Sequence, residues 1–383
     1  MTDHMPDDLS AAGRDLRAYT DELRPAHPVV RNVAGEWVLL RHDLVVSAAE
    51  DDETFSSAVS RHLQVPNGLD GDDHAAFRAV LDPFLSAEAL APFVPVFEGI
   101  AADLAASAPR GVPVDAVADL GTRFAVRAQS AWLGWSPSLE DRLVGWVGEN
   151  HAATRSGDRL WTQDVAEDFD ALILSVLEPR REAAAGDEPG DVTVQLMRTR
   201  VRGRRLTDDE IVSVLRNWTG GDLGSLALCV GVVVHHLATH PELQDRLRGG
   251  VADAELDAVV DEILRIDNPF VSNRRVTTCP VEVAGVALPA GARVKLHWTS
   301  ANRDEDVFGT PDDFDPAGHA AANLVYGIGR HACPGRLLST VDLRVAVRAL
   351  LAATTSITLA PGQPAEREIA PVGGWARVPV LLR

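Results

Sequence analysis

Cysteine, methionine and tyrosine are nearly missing from this chain, with 3 Cys, 3 Met and 2 Tyr in 383 residues. Cysteines at positions 229, 279 and 333 form neither a disulfide framework nor a zinc-finger spacing. A cross-linked secreted scaffold is therefore excluded, and a reducing, cytoplasmic compartment is expected. Cys229 and Cys279 read as small buried hydrophobes. Basic residues are scarce too: 36 Lys and Arg face 56 Asp and Glu, a net charge of −20. That balance argues against nucleic acid and anionic membrane surfaces as partners. The N-terminal MTDHMPDDLSAAGRDL has no apolar secretory core. The longest uncharged run, Leu223 to Pro241, is interrupted by Gly224, Ser225, His235, His236 and His240, which leaves its apolar part short of a membrane span.

What is there is a large apolar share, 46% hydrophobic against 24% charged, enough for a substantial core. The length allows one large domain as well as two or three. Val29–Asn32, Ala34-Gly35 and Glu36–Leu40 read as an early hairpin. From about Thr54 to Leu256 helical periodicity dominates, broken near 65–70, 109–113, 155–158 and 184–190. Residues 281–296 alternate and turn like a small sheet. A loop rich in Asp, Pro and Gly runs from Asn302 to Gly318, one more helix spans about Gly335 to Leu351, and a strand pair ends the chain. The fold class expected is mainly α with a minor β portion.

The central helix opens with a capping box, Thr207-Asp-Asp-Glu210, and closes at His240-Pro241. Between them it is apolar nearly all round, the pattern of a helix inside a protein. Gly220, Gly221 and Gly224 interrupt it, each costing about 1 kcal/mol relative to alanine. Either the helix breaks in two there, or something flat lies against its backbone.

The third cysteine stands in Tyr326-Gly-Ile-Gly-Arg-His-Ala-Cys-Pro-Gly335. Gly327 and Gly329 permit close backbone approach. Pro334 suits a first helical position, which makes Cys333 the N-cap, with the N–H groups of Gly335 and Arg336 aimed at its sulfur. One thiolate cannot build a zinc or iron–sulfur site. It can be the single axial ligand of a haem, or a structural or nucleophilic cysteine.

This stretch closely resembles the haem-binding signature of the cytochrome P450 family, Phe-Gly-x-Gly-x-His-x-Cys-x-Gly, with Tyr326 in place of Phe. Further stretches match in the family's order: Asp70 to Arg78 for its His-x-x-x-Arg, Glu262-Ile-Leu-Arg265 for its Glu-x-x-Arg, then Arg275 and Ala301-Asn-Arg-Asp304. The resemblance implies a cytochrome P450 fold as a single large domain over 23–383, preceded by an N-terminal extension of residues 1–22. It implies haem b as cofactor with Cys333 on the iron. It also places His74, Arg78, Arg275 and His331 at the haem propionates, with Gly220, Gly221, Tyr326 and Gly335 against the macrocycle. Glu262 and Arg265 read on their own as an exposed helical pair; the family buries them as a structural lock with a meander arginine. Here Gly318 stands in that arginine's place, and His319 is its nearest substitute.

The family's oxygen-activation segment, Ala-Gly-x-Asp/Glu-Thr, reads Thr219-Gly-Gly-Asp222-Leu223 in this chain. Leu223 then replaces the proton-delivering hydroxyl. Ser225 lies about 200° away from it around the helix, and Thr219, one turn earlier, shares its face. Asp222 is the expected proton relay. Val59, Leu63, Val65, Trp218, Leu223, Phe270, Val271 and Trp375 are expected to line the substrate pocket.

The resemblance implies a monooxygenase that hydroxylates or oxidatively dealkylates a small organic substrate, with electrons from a ferredoxin and ferredoxin reductase. Arg330, Arg336, Arg344 and Arg348 are candidates for a basic docking patch. Leu223 motivates an alternative, a peroxide-driven or oxidative-coupling enzyme; a non-catalytic haem sensor is a third.

Overall fold

A computed structural model describes residues 4–5 and 15–383, apart from 61 and 187. Helices used below are α1 (Leu16–Leu23), α2 (His42–Glu50), α3 (Gly71–Leu81), α4 (Val94–Ser107), α5 (Arg123–Leu133), α6 (Glu140–Ser156), α7 (Arg159–Leu177), α8 (Asp208–Trp218), α9 (Gly220–Thr239), α10 (Asp253–Ile266) and α11 (Arg336–Ala353). Local chemistry marks their ends. The Thr207 side chain and Glu210 form the expected capping box at the start of α8. Gly157, left-handed at φ 67°, ends α6, and Asp158 caps α7, so these two long helices are joined by only these two residues.

Of the two readings left open for the run from Thr207 to His240, the break holds: it is two helices. Thr219 leaves helical geometry at φ −122°, ψ −72°, and its hydroxyl bonds back to the Leu215 carbonyl at 2.5 Å. Within Asp208–Thr239 an 18-residue window reaches a mean hydropathy of 1.5, long and apolar enough to cross a membrane. That corrects the expectation that it falls short. Here it fills the core, α9 touching α5, α10 and α11. Gly71–Ser107 passes the same test but consists of several separate short helices.

The main sheet is six-stranded: β1 (His4–Met5), β2 (Val29–Asn32), β3 (Trp37–Leu39), β6 (Arg293–His297), β5 (Ser272–Thr277) and β4 (Phe55–Ser56), in that spatial order. The β2–β3 hairpin falls where the alternation placed it, and β3 pairs parallel with β6 through Val294 and Trp37. The boundary expected after residue 22 lies inside α1. There Arg303 donates to Asp21 at 2.7 Å, and the buried Arg24 donates to the Ser300 and Arg303 carbonyls at 2.9 and 2.5 Å. Residues 1–3 and 6–14 of that segment lie outside the described residues. Cys279 is exposed and Cys229 half-buried. Neither is the fully buried hydrophobe the sequence implied, because Cys279 sits just past the end of β5 and Cys229 on the one open face of α9.

Candidate active site

The loop carrying Cys333 is held in place by its glycines. Gly327 and Gly329 take left-handed φ of 68° and 75°. A Cβ on Gly329 would come within 2.8 Å of the Ala49 carbonyl oxygen at the end of α2. Gly329→Ala therefore meets both backbone strain of about 1–2 kcal/mol and a clash with fixed backbone. Its expected outcome is a lower melting temperature and a lower pigment-to-protein absorbance ratio than wild type.

The Cys333 sulfur is accessible to solvent, yet burial, and after it the charge of Asp222, pushes its thiol up to about 11. The two observations conflict only on an open surface; a sulfur at the floor of a concavity satisfies both. The helix cap is offset from the expected one. Helix α11 starts at Arg336 with Gly335 as its N-cap, so Pro334 lies in the preceding turn. The Gly335 N–H does donate to the sulfur, but the Arg336 N–H turns to the Cys333 carbonyl at 3.4 Å.

Opposite the sulfur lies α9, one stripe of which is open. Gly221 is exposed and Asp222, Ser225 and Cys229 half-exposed, while Leu223, Gly224 and Leu226 are buried. Nothing lies within 4 Å of where a Gly221 Cβ would be. At about 100° per residue, Gly221, Ser225 and Cys229 form one face, and Leu223 points about 200° from it. Leu223 is thus a core residue, 1% exposed. Thr219 is equally buried, its hydroxyl spent on Leu215, and it does not reach the cavity. Ser225 does. Its hydroxyl donates to the Gly221 carbonyl at 2.8 Å. Asp222, beside it, accepts from the Gln129 side-chain amide of α5, and burial pushes its carboxyl up to about 7. Gly220 and Gly224 answer the earlier question differently. Cβ atoms there would meet Trp146 at 3.0 Å and His151 at 2.8 Å, so these two glycines make room for α6 and only Gly221 faces open space.

A basic rim borders the same concavity. Arg275 is buried and, among the described residues, has the Arg274 carbonyl as its one hydrogen-bond partner, and burial lowers its pKa. His74 is 2% exposed with an unpartnered Nδ1, and burial pulls it down to about 4. His331 lies against it, ring centroids 4.2 Å apart, and shares a 3.3 Å contact with Asp70. Two unfulfilled buried donors beside a third are costly unless something anionic sits there. Arg78 is placed differently: it pairs with Asp82 at 2.6 Å and donates to the Arg330 and Ala332 carbonyls at 3.2 Å, clamping the cysteine loop. The donor set fits an iron porphyrin: one sulfur on its floor, two carboxylates' worth of donors at its rim, and above it a helix face opened by Gly221.

A family model described as Cytochrome P450 matches residues 158–366. A cyclomarin C epoxidase from Salinispora arenicola is 31% identical over 356 residues, covering 88% of both chains. The chain belongs to the cytochrome P450 family. An erythromycin C-12 hydroxylase from Saccharopolyspora erythraea is 28% identical over 90% of this chain and 88% of its own. Among solved structures, a mutant of the P450 EryK in complex with erythromycin B superposes with a TM-score of 0.87 at 26% identity, covering 99% and 98% of the two chains. The expected mainly α P450 fold is thus borne out, and the cofactor of this P450 is haem b.

The lock of this P450 is buried, not surface-exposed. Arg265 and Glu262 are 0% and 2% exposed and bond doubly at 2.8 and 2.9 Å. His319 completes it from the meander, Nδ1 to Glu262 at 2.7 Å. Glu262 also accepts the Asp315 N–H at 3.0 Å.

Of the expected pocket residues, Leu63 and Phe270 are 45% and 46% exposed, and Val59 is half-exposed. Val65, Val271 and Trp218 are buried. Trp218 packs on Phe84 and Trp132 in the core, and Trp375 is half-buried with Arg367 and His235 against its ring. The candidate docking arginines are also committed: Arg336, Arg344 and Arg348 pair with Asp261, Asp257 and Asp253 of α10, and Arg330 with Asp52. Gln129 and His151 went unrecognised in the sequence, and Ser225 was set aside there as pointing away from Leu223. The available signal for Gln129 was an uncharged amide among the apolar Val126, Ala128, Trp132 and Leu133 of α5.

Proposed function

We propose that this P450 is a monooxygenase that hydroxylates or oxidatively dealkylates a small organic molecule, drawing electrons from a separate ferredoxin and its reductase. The observation that carries this reading is the Cys333 sulfur on the floor of a concavity facing the open stripe of α9. Cys333 holds the iron, and Arg275, His74 and His331 hold the propionates. When bound, the haem supplies activation of dioxygen and delivery of one oxygen atom to carbon.

The protein's part is to exclude water, orient substrate and move protons. Asp222, half protonated near neutrality, stores a proton at its carboxyl, and Gln129 fixes the orientation of that group. Ser225 is the hydroxyl of this relay. Because it donates to the Gly221 carbonyl, its oxygen lone pairs remain free to accept a proton from Asp222's side of the cavity. A general acid of this kind contributes about 10²–10⁴-fold. Asp222→Asn and Ser225→Ala are each expected to lower coupled product formation by about 10²-fold, with reducing equivalents diverted to peroxide and the haem spectrum retained. A pH signature accompanies the first variant. The folded pKa of Asp222 is raised, so the folded chain binds an extra proton and loses stability as pH rises from about 4 to about 7. Asp222→Asn removes that loss, and its melting temperature gains on wild type across this window.

Reconstitution with a ferredoxin system under isotopically labelled dioxygen, on a panel of small organic compounds, tests the function. Label in the product supports the reading. Turnover with peroxide but none with the electron-transfer system favours the peroxide-driven alternative.

A further inference from the structure

His151 of α6 packs against α9 at Gly224. Its ring occupies the notch left by Gly224, whose absent Cβ would otherwise lie 2.8 Å from Nε2. Gly224 is three residues from Gly221, about 60° around the helix, so the imidazole borders the cavity above the Gly221–Ser225 face. The side chain is half-buried and, among the described residues, forms no hydrogen bond or ion pair. Its nitrogens are nevertheless not among the buried polar atoms lacking partners, so they touch open space. Burial, and then the charge of Arg155 one turn on, pulls the ring down to about 4, which leaves it neutral, with one donor and one acceptor nitrogen.

We propose that His151 anchors the substrate of this P450 by a hydrogen bond to a neutral polar group, a hydroxyl or a carbonyl, and so sets which carbon faces the haem. The ligand class is therefore an uncharged organic molecule carrying such a group, not a bare hydrocarbon. A neutral imidazole serves either polarity, because it donates to a carbonyl and either donates to or accepts from a hydroxyl. The inference rests on the haem-site reading above, since the cavity His151 borders is the one over Cys333.

Iron-anchored probes test it without knowledge of the natural substrate. 1-Phenylimidazole and its 2-, 3- and 4-hydroxyphenyl counterparts are titrated against the haem-loaded protein, reading the shift of the main haem absorption band. At least one hydroxyl isomer is expected to bind wild type about 3- to 10-fold tighter than the parent, the range of a single hydrogen bond. His151→Phe erases that advantage and His151→Gln keeps part of it. Gly224→Ala, which displaces the ring from the other side, erases it as well and stands in should the phenylalanine variant not hold haem. The proposal is overturned if no isomer gains over the parent, or if the gain survives in both His151→Phe and Gly224→Ala. Failure of every azole to shift the band in wild type would instead sink the haem-site reading, and this proposal with it.

Discussion

With serine at position 333, the purified protein loses the thiolate-specific absorption band of its reduced carbonyl complex, and its affinity for haem falls by more than about 100-fold. A serine hydroxyl keeps the size of the side chain but stays protonated and is a hard, weak ligand, so the Gly335 N–H is left donating to a neutral oxygen. The cavity offers no replacement. Cys229 lies on the open stripe of α9, but burial raises its thiol far above the ordinary range, so it remains a neutral thiol. Cys229→Ser is the matching control and keeps the band. An unchanged carbonyl spectrum in Cys333→Ser would remove the site from this loop altogether.

Arg265→Met has the second large effect. It leaves Glu262 buried at 2% exposure with only His319 and one backbone N–H to answer its charge, a loss of about 3–5 kcal/mol. At roughly 2 cal/mol/K of unfolding entropy per residue, that is a fall of about 4–6 °C in melting temperature for a chain of this length. The damage spreads to the haem loop along a bonded path. Arg265 also donates to the carbonyls of Asn302 and Asp313 at 2.7 and 2.8 Å, and the Asn302 side chain accepts the Leu324 N–H at 2.7 Å, two residues before Tyr326. Haem content is therefore expected to drop together with stability. His319→Ala removes one bond to a charged group and costs less, about 1.5–3 kcal/mol. Equal melting temperatures for Arg265→Met and wild type would show that the pair holds nothing together.

The parts of this site legible in the sequence are those written in local backbone chemistry. The glycines of 327 and 329 and the capping box at Thr207 each need specific residues at fixed spacing and lie where that chemistry put them, while the helix cap expected at Cys333 falls two residues on, at Gly335. The face of α9 was not legible. A helix apolar on nearly every side has no polar stripe to reveal its orientation, so the proton-delivery position was assigned to Leu223, and the true open face, Gly221 with Ser225, went unread. Two of the three glycines misled for a related reason: their partners, Trp146 and His151, come from a helix about 70 residues earlier, and no local pattern encodes that meeting. Glu262 and Arg265 fell off the apolar stripe of α10 and so looked wet. Their burial is imposed by the meander loop, which lies about 50 residues downstream. The arginines after Cys333 looked like a positive patch only because the aspartates of α10 that neutralise them were counted separately.

Residues Gly157 and Asp158, the whole connection between α6 and α7, bear on how a guest molecule gets in. So short a joint has little slack, and Trp146 of α6 stacks on Phe169 of α7 at 4.0 Å, so the two helices are coupled as one unit. Across the cavity, the strand of chain at 63–65 is tethered to α8 through Ser213 and Asn217 and yields less readily. Because His151 belongs to this coupled pair, any shift of α7 against α9 is passed to the imidazole in its notch at Gly224.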